Sequence, residues 1–236
     1  MPELAVVRVF VGEGGRFGNP LGVFLDGPSV PEEDRRRVAA DLGFSETVFV
    51  DDVATGELRI LTPAAELPFA GHPLLGTAWL LARQGRPPEA LRPPVGETAV
   101  RFEAGGGPGG AGEPLVHVSG LGEWSAFETL KLARPDEVDA LDGRPGDRGG
   151  NLYAWAWIDE AAGTVRARSF APQLGVPEDE ATGSAALGLA VELDRELEIH
   201  QGRGSLLRAR ALGGGRGEVG GAVALERCSD YPLSAL

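Results

Sequence analysis

Two stretches of this chain read alike, and that likeness constrains the fold more than any other feature. Residues 59–76 read RILTPAAELPFAGHPLLG, and residues 168–188 read RSFAPQLGVPEDEATGSAALG. Arg59, Pro63, Gly71 and Gly76 align with Arg168, Pro172, Gly183 and Gly188. The offset is 109 residues at the Arg and Pro and 112 at the two Gly, so the second copy holds three extra residues. Each copy is a strand, a Pro-ended loop, a Gly and an apolar helix. Chance competes as an explanation, because Gly, Pro and Ala are common here. The alternative is a duplicated fold, each half built around a buried central helix.

Duplication has a chemical consequence. A helix N-terminus carries unpaired N–H groups and a partial positive charge. Two such ends facing one another across a cleft would bind a small carboxylate through main-chain donors. Gly71 and Gly183 would let the ligand approach the backbone closely. An acidic protein could bind an acid in this way, and this chain is acidic: 22 Lys and Arg against 35 Asp and Glu give a net charge of −13. That charge repels phosphate backbones, so nucleic-acid binding is not expected. The one cysteine, Cys228, excludes an internal disulfide and a cysteine-based metal cluster. No leader or membrane-spanning run is visible, so a cytoplasmic protein with no membrane partner is expected.

The remaining pattern mixes strands and helices. LAVVRVF, LGVFLD, ETVFVDDV, ELRILTP and VGETAVRFEA read as strands, and PEEDRRRVAADLG reads as a helix with acidic residues in its first turn. LVHVSG, NLYAWAWID and TVRARSFAP read as strands of the second half, with a helix at RPDEVDALDG. Residues 104–114, AGGGPGGAGEP, read as a loop or linker. The expected division is therefore a first half over 1–103, the linker, and a second half over 115–236 whose last strand is free to return to the first half.

Three side chains near the repeats could do chemistry. Glu46 lies in FSETVFV, His72 opens the first central helix, and Asp179 precedes the second. A carboxylate wrapped by apolar residues has its pKa raised toward neutrality and can then donate and accept a proton. A His at a helix N-terminus tends to stay neutral and to act as a hydrogen-bond partner or relay. Taken singly, Glu46 reads as a surface carboxylate flanking a strand and Asp179 as a capping residue. His72 is evenly balanced between a helix-start hydrogen bonder and a catalytic group. Glu178, Asp179 and Glu180 have no His nearby, so a metal signal there is weak. His117 and His200 read as structural.

Together these segments resemble the phenazine-biosynthesis PhzF-like family. The resemblance is carried by FGNPLGVFLD (17–26), FSETVFV (44–50), RILTPAAELPFAGHPLLGTA (59–78), RSFAPQLGVPEDEATGSAALG (168–188) and HQG (200–202). It implies the diaminopimelate-epimerase fold, an α+β architecture of two similar halves. Each half is a curved sheet or barrel around a central helix, with the active site in the cleft between them. It implies an isomerase of the trans-2,3-dihydro-3-hydroxyanthranilate type, with no cofactor and no metal, acting on a small carboxylic acid, often as a homodimer. The family's acid/base falls on Glu46, its histidine on His72 and its aspartate on Asp179. Substrate-binding positions fall on Gly71, Gly183, Ser184 and Asn19. The chain departs from the family at Glu180, where Pro is usual, adding charge beside the site, and at Arg8 and Val11. An amino-acid racemase or epimerase on the same fold is the competing enzyme, but it uses two cysteines and this chain has one. A non-catalytic protein binding a small acid is the other alternative.

Overall fold

The computed structural model describes residues 1–104, 113–146 and 149–233. The expected linker thus lies outside the described residues over 105–112. In chain order the elements are β1 (Glu3–Val9), β2 (Asn19–Phe24), α1 (Glu32–Leu42), β3 (Thr47–Asp52), β4 (Glu57–Leu61), β5 (Glu66–Leu67) and α2 (Gly71–Arg83). There follow β6 (Ala90–Leu91), β7 (Thr98–Glu103), β8 (Leu115–Leu121), β9 (Phe127–Lys131), α3 (Pro135–Asp139), β10 (Asn151–Asp159), β11 (Thr164–Ala171) and β12 (Val176–Asp179). The chain closes with α4 (Gly183–Leu193), β13 (Glu196–Gln201), β14 (Ser205–Gly213), β15 (Arg216–Gly221) and β16 (Val223–Asp230). Helix α1 carries Glu32, Glu33 and Asp34 in its first turn, where the helix dipole favours negative charge.

Two sheets result. One runs β16-β1-β2-β3-β4-β5; the other runs β6-β7-β8-β15-β14-β13-β11-β10-β9, with β12 paired to β11. The last strand crosses back to the first sheet, where Glu3 pairs with Asp230 and Val9 with Val223. The break between sheets does not fall at residue 103. β6 pairs with β7 and β7 with β8, so the second sheet begins at Ala90. Alternation at 98–103 marks a strand but cannot say which sheet it joins, since side-chain period sets the face and not the neighbour.

The central helices behave as the repeat implies. Every residue of α2 from Gly71 to Leu81 is buried, the mark of a helix that is apolar on all sides. It packs against β1, β2 and β3 of one sheet and reaches β8 and β15 of the other. Helix α4 packs against β13, β14 and β15. One buried cluster runs from Val7, Leu74 and Trp79 through to Leu187 and Ile199. A smaller one under α1 joins Val6, Phe24, Val38, Phe49 and Tyr231. Among the described residues no helix is long and apolar enough to cross a membrane.

The repeated Arg proves to be half of a clamp. Arg59 donates through Nε and Nη2 to the two carboxylate oxygens of Glu66, the latter at 2.7 Å. Arg168 donates likewise to Glu178, at 2.7 and 2.8 Å. Glu66 and Glu178 stand 112 residues apart, the offset of the paired glycines. Each bidentate pair ties a long strand to the short strand that leads into a central helix, β4 to β5 and β11 to β12. The clamp is thus part of the duplicated unit, with each Glu five residues ahead of the glycine that opens its helix.

Candidate active site

The two central helices meet end to end. Gly71 opens α2 and Gly183 opens α4. A Cβ on either would lie 3.0 Å from the Cα of the other, so only glycine permits this approach. Ala70 and Thr182 precede the helices, and neither supplies a side-chain cap. The first-turn N–H groups of both helices therefore converge as uncapped donors suited to a carboxylate.

Beside this junction lies a cavity of about 110 Å³. Ser45, Glu46, Asp179, Thr182 and Ser184 supply its polar wall; Leu67, Phe69, Trp124, Phe127, Leu174 and Val176 supply its apolar wall. The volume falls far short of the roughly 300–1,000 Å³ typical of drug-sized ligands, so the site suits a small molecule. His72 and Asn19 form no part of the wall, but each touches a carboxyl that does. A wider depression of about 610 Å³ lies beside α4, but its titratable groups, Glu123 and Glu192, are not buried.

Glu46 immediately precedes β3 and is buried, not a surface carboxylate as it reads when taken alone. Its Oε2 lies 3.4 Å from His72 Nε2. Neither atom makes a hydrogen bond among the described residues. Burial pushes the Glu46 carboxyl up to about 7, with the Ser45 hydroxyl opposing. Burial pushes His72 down to about 4, opposed by the charge of Asp179. At neutral pH His72 is therefore uncharged, and its contact with Glu46 is not an ion pair. Asp179 rises to about 6, first through burial and then through the Glu46 charge, with His72, Thr182 and Asn19 opposing. Two buried carboxyls that repel each other ionise one at a time. Between those two values the pair thus holds about one proton, poised to leave or return.

Asp179 is held rigidly. Its Oδ1 accepts from Asn19 Nδ2 at 2.6 Å and its Oδ2 from Thr182 Oγ1 at 2.5 Å. Asn19 also donates to the Ala181 carbonyl at 3.0 Å and accepts from Ser45 Oγ at 3.3 Å. It thereby links the residue beside Glu46 to Asp179. Behind them sits Gln201, fully buried. Its Oε1 accepts from Tyr153 Oη at 3.0 Å and from the Thr182 N–H at 3.1 Å. Its Nε2 donates to the Asp179 carbonyl at 3.0 Å and to Thr182 Oγ1 at 3.1 Å. Three bonds from one amide thus fix the turn that carries Asp179 into α4, and the fourth ties it to Tyr153 of β10.

The structure therefore brings Glu46, His72, Asp179, Asn19, Gly71, Gly183 and Ser184 together. It adds Gln201, Tyr153, Thr182 and an aromatic wall. One sequence signal marks Gln201, a polar residue in the apolar row Leu197, Ile199 of β13. Nothing local marks Trp124. Glu180 does not add charge to the cavity. It accepts from the Arg203 N–H at 3.1 Å and from Ser205 Oγ at 2.9 Å, fastening a neighbouring turn. Arg8 pairs with Glu226 at 2.9 Å. Cys228 is exposed on β16, and the paired helix starts hold His72 and Ser184, so no thiol stands at the junction. Among the described residues no three His, Cys, Asp or Glu side chains converge to ligate a metal.

The profile of the phenazine biosynthesis-like protein family matches residues 7–107. A trans-2,3-dihydro-3-hydroxyanthranilate isomerase of Pseudomonas fluorescens is 34% identical over 216 residues, covering 79% of this chain and 78% of that protein. Among solved structures, a PhzF-family phenazine biosynthesis protein of Bacillus anthracis superposes with a TM-score of 0.77 at 16% identity, over 98% of this chain and 99% of that one. A hydroxyproline epimerase of Agrobacterium vitis superposes with a TM-score of 0.62 at 12% identity, over 97% and 91%. These two likenesses establish the fold, a mixed α+β architecture.

Proposed function

The chain belongs to the phenazine-biosynthesis PhzF-like family of isomerases, and from that premise we propose that Glu46 moves a proton within a small unsaturated ring acid. The observation that carries this reading is the state of Glu46: it lines a small cavity, is buried and raised to about 7, and its Oε2 is unbonded. A carboxyl of that pKa serves as base and then as acid near neutral pH. Trans-2,3-dihydro-3-hydroxyanthranilate, the compound named for the relatives, is the candidate substrate.

Its carboxylate sits on the first-turn N–H groups of α2 and α4, through Gly71, His72, Gly183 and Ser184. This fixes the ring against Glu46, and such placement supplies much of the rate. Glu46 as carboxylate takes the proton from a ring carbon acidified by conjugation. The electron pair shifts through the π system, and Glu46 returns the proton to another ring carbon. Asp179 holds the substrate's hydroxyl and amino groups, and uncharged His72 stands behind Glu46, 3.4 Å from its Oε2. The apolar wall desolvates the Glu46 carboxylate and so keeps it basic, while the proton it carries can still exchange before its return.

The test is proton NMR of trans-2,3-dihydro-3-hydroxyanthranilate with the purified protein in D₂O. Conversion with deuterium on a ring carbon, lost in Glu46→Gln, is the expected result. Tight binding without conversion would mark a binding protein instead, and normal turnover by Glu46→Gln would remove Glu46 from the proton path.

A further inference from the structure

We propose that Trp124 makes this site selective for flat, conjugated ring acids over puckered, saturated ones. The inference rests on the reading above only in placing the ligand in the cavity beside Glu46. Trp124 ends a 3-10 turn over Gly122–Trp124, between β8 and β9. Its side chain lines the same cavity as Glu46 and Asp179.

The indole is held in place from several sides. Its ring lies 5.1 Å from the ring of Phe69, tilted by 52°. Phe69 is itself 6% exposed and so cannot give way. Gly120 lies directly beneath the pair: a Cβ there would stand 3.0 Å from Phe69 Cζ and 3.1 Å from Trp124 Cε3. The turn is tied down at its other end. The Gly122 N–H donates to the Gly215 carbonyl at 2.8 Å, and the Ser125 N–H to the Gly122 carbonyl at 3.0 Å. A Cβ on Gly122 would meet Val191 Cγ1 of α4 at 2.8 Å.

A preorganised aromatic side chain in so small a cavity does more than exclude water. A planar π system can pack against it, offset-stacked or edge to face, which adds attraction beyond the area buried. A saturated ring of the same carbon count is thicker and has no π face. The same wall would also keep a conjugated ring flat, which holds the C–H bond to be broken parallel to the π orbitals that acidify it.

The test compares benzoate with cyclohexanecarboxylate by isothermal titration, neither acid being a substrate. The intact protein should bind benzoate about threefold to tenfold more tightly, the range expected for one aromatic pair. Trp124→Phe should keep most of that ratio. Trp124→Leu should bring it near one through weaker benzoate binding, with cyclohexanecarboxylate little changed. The proposal fails if the intact protein shows no preference, if neither acid binds at millimolar concentration, or if Trp124→Leu weakens both acids by one factor. Melting temperatures of both variants separate misfolding from lost selectivity. Turnover is not measured, so this ratio stands or falls independently of the isomerase reading.

Discussion

Replacing Glu46 by Gln asks whether the cavity holds this carboxyl in a dry, unpaired state. Its pKa rises from 4.5 to about 7 through burial. A folded-state pKa above the unfolded one means the native chain keeps a proton that the unfolded chain has released. The stabilisation is complete below about pH 4.5 and is lost as pH rises through about 7. Each pKa unit is worth about 1.4 kcal/mol. Ionising Glu46 in the native state therefore costs on the order of 3 kcal/mol at pH 8. Gln is neutral at every pH and avoids that cost. Asp179 adds to the gain, because the Glu46 charge is among the causes that raise it. His72 has a lowered pKa, so it contributes stability above its unfolded value of 6.5 that is lost as pH falls toward 4. That loss is common to both proteins and drops out of their difference. Thermal or urea unfolding at pH 4.5, 6 and 8 reads the result. The variant should match the parent within experimental error at pH 4.5. At pH 8 it should melt about 6–12 °C higher, as about 3 kcal/mol implies for a chain of this size. A difference between the two proteins that does not change with pH would refute the reasoning, since it would mean that solvent reaches Glu46.

Three further outcomes are expected. Gly183→Ala places a methyl 3.0 Å from the Gly71 Cα and 3.2 Å from the His72 nitrogen. Both neighbours are backbone, so the helix ends must part; a loss of about 1–3 kcal/mol and weakened carboxylate binding should appear in unfolding and titration, and an unchanged affinity would sink the two-helix carboxylate site. Gln201→Leu strands the Tyr153 hydroxyl and the Thr182 N–H inside the protein. It should cost about 2–5 kcal/mol; a loss below 1 kcal/mol would mean the network is not buried as described. Turnover should fall as pH drops below about 7, where Glu46 takes up a proton and ceases to be a base. A pH–rate profile flat from 5 to 8 would assign the base to another group.

Much of the local structure was legible because it follows from short-range rules. α1, α2 and α4 appear where caps, breakers and apolar runs place them. The short strands β5, β6, β9 and β12 were not legible. Two to five residues carry too little alternation, and β12, VPED, reads as loop until Arg168 of β11 clamps its Glu178. The site was legible in its repeated and charged members. Glu46 and Asp179 stand out as carboxylates beside apolar or Gly-rich segments, and His72 opens a helix. Trp124, between two strands of the second sheet, carries no spacing that ties it to the site, and Gln201, though within HQG, stands 22 residues beyond Asp179 with nothing in the sequence to give it a role there.

The repeat in this chain already contains the central helices, their glycine starts and the Arg–Glu pairs, because each depends on residues within about twenty positions of one another. That was enough to infer two helix ends and an acid held between them. Only the packing of one half on the other decided the rest. It brought Gly71 against Gly183, sealed Glu46 from water, and set Asp179 close enough for the Glu46 charge to raise the Asp179 pKa. It also turned Glu180 away and laid Trp124 along the cavity. Proton affinity depends on what surrounds a carboxyl in space, and in this fold those surroundings come from segments more than a hundred residues apart.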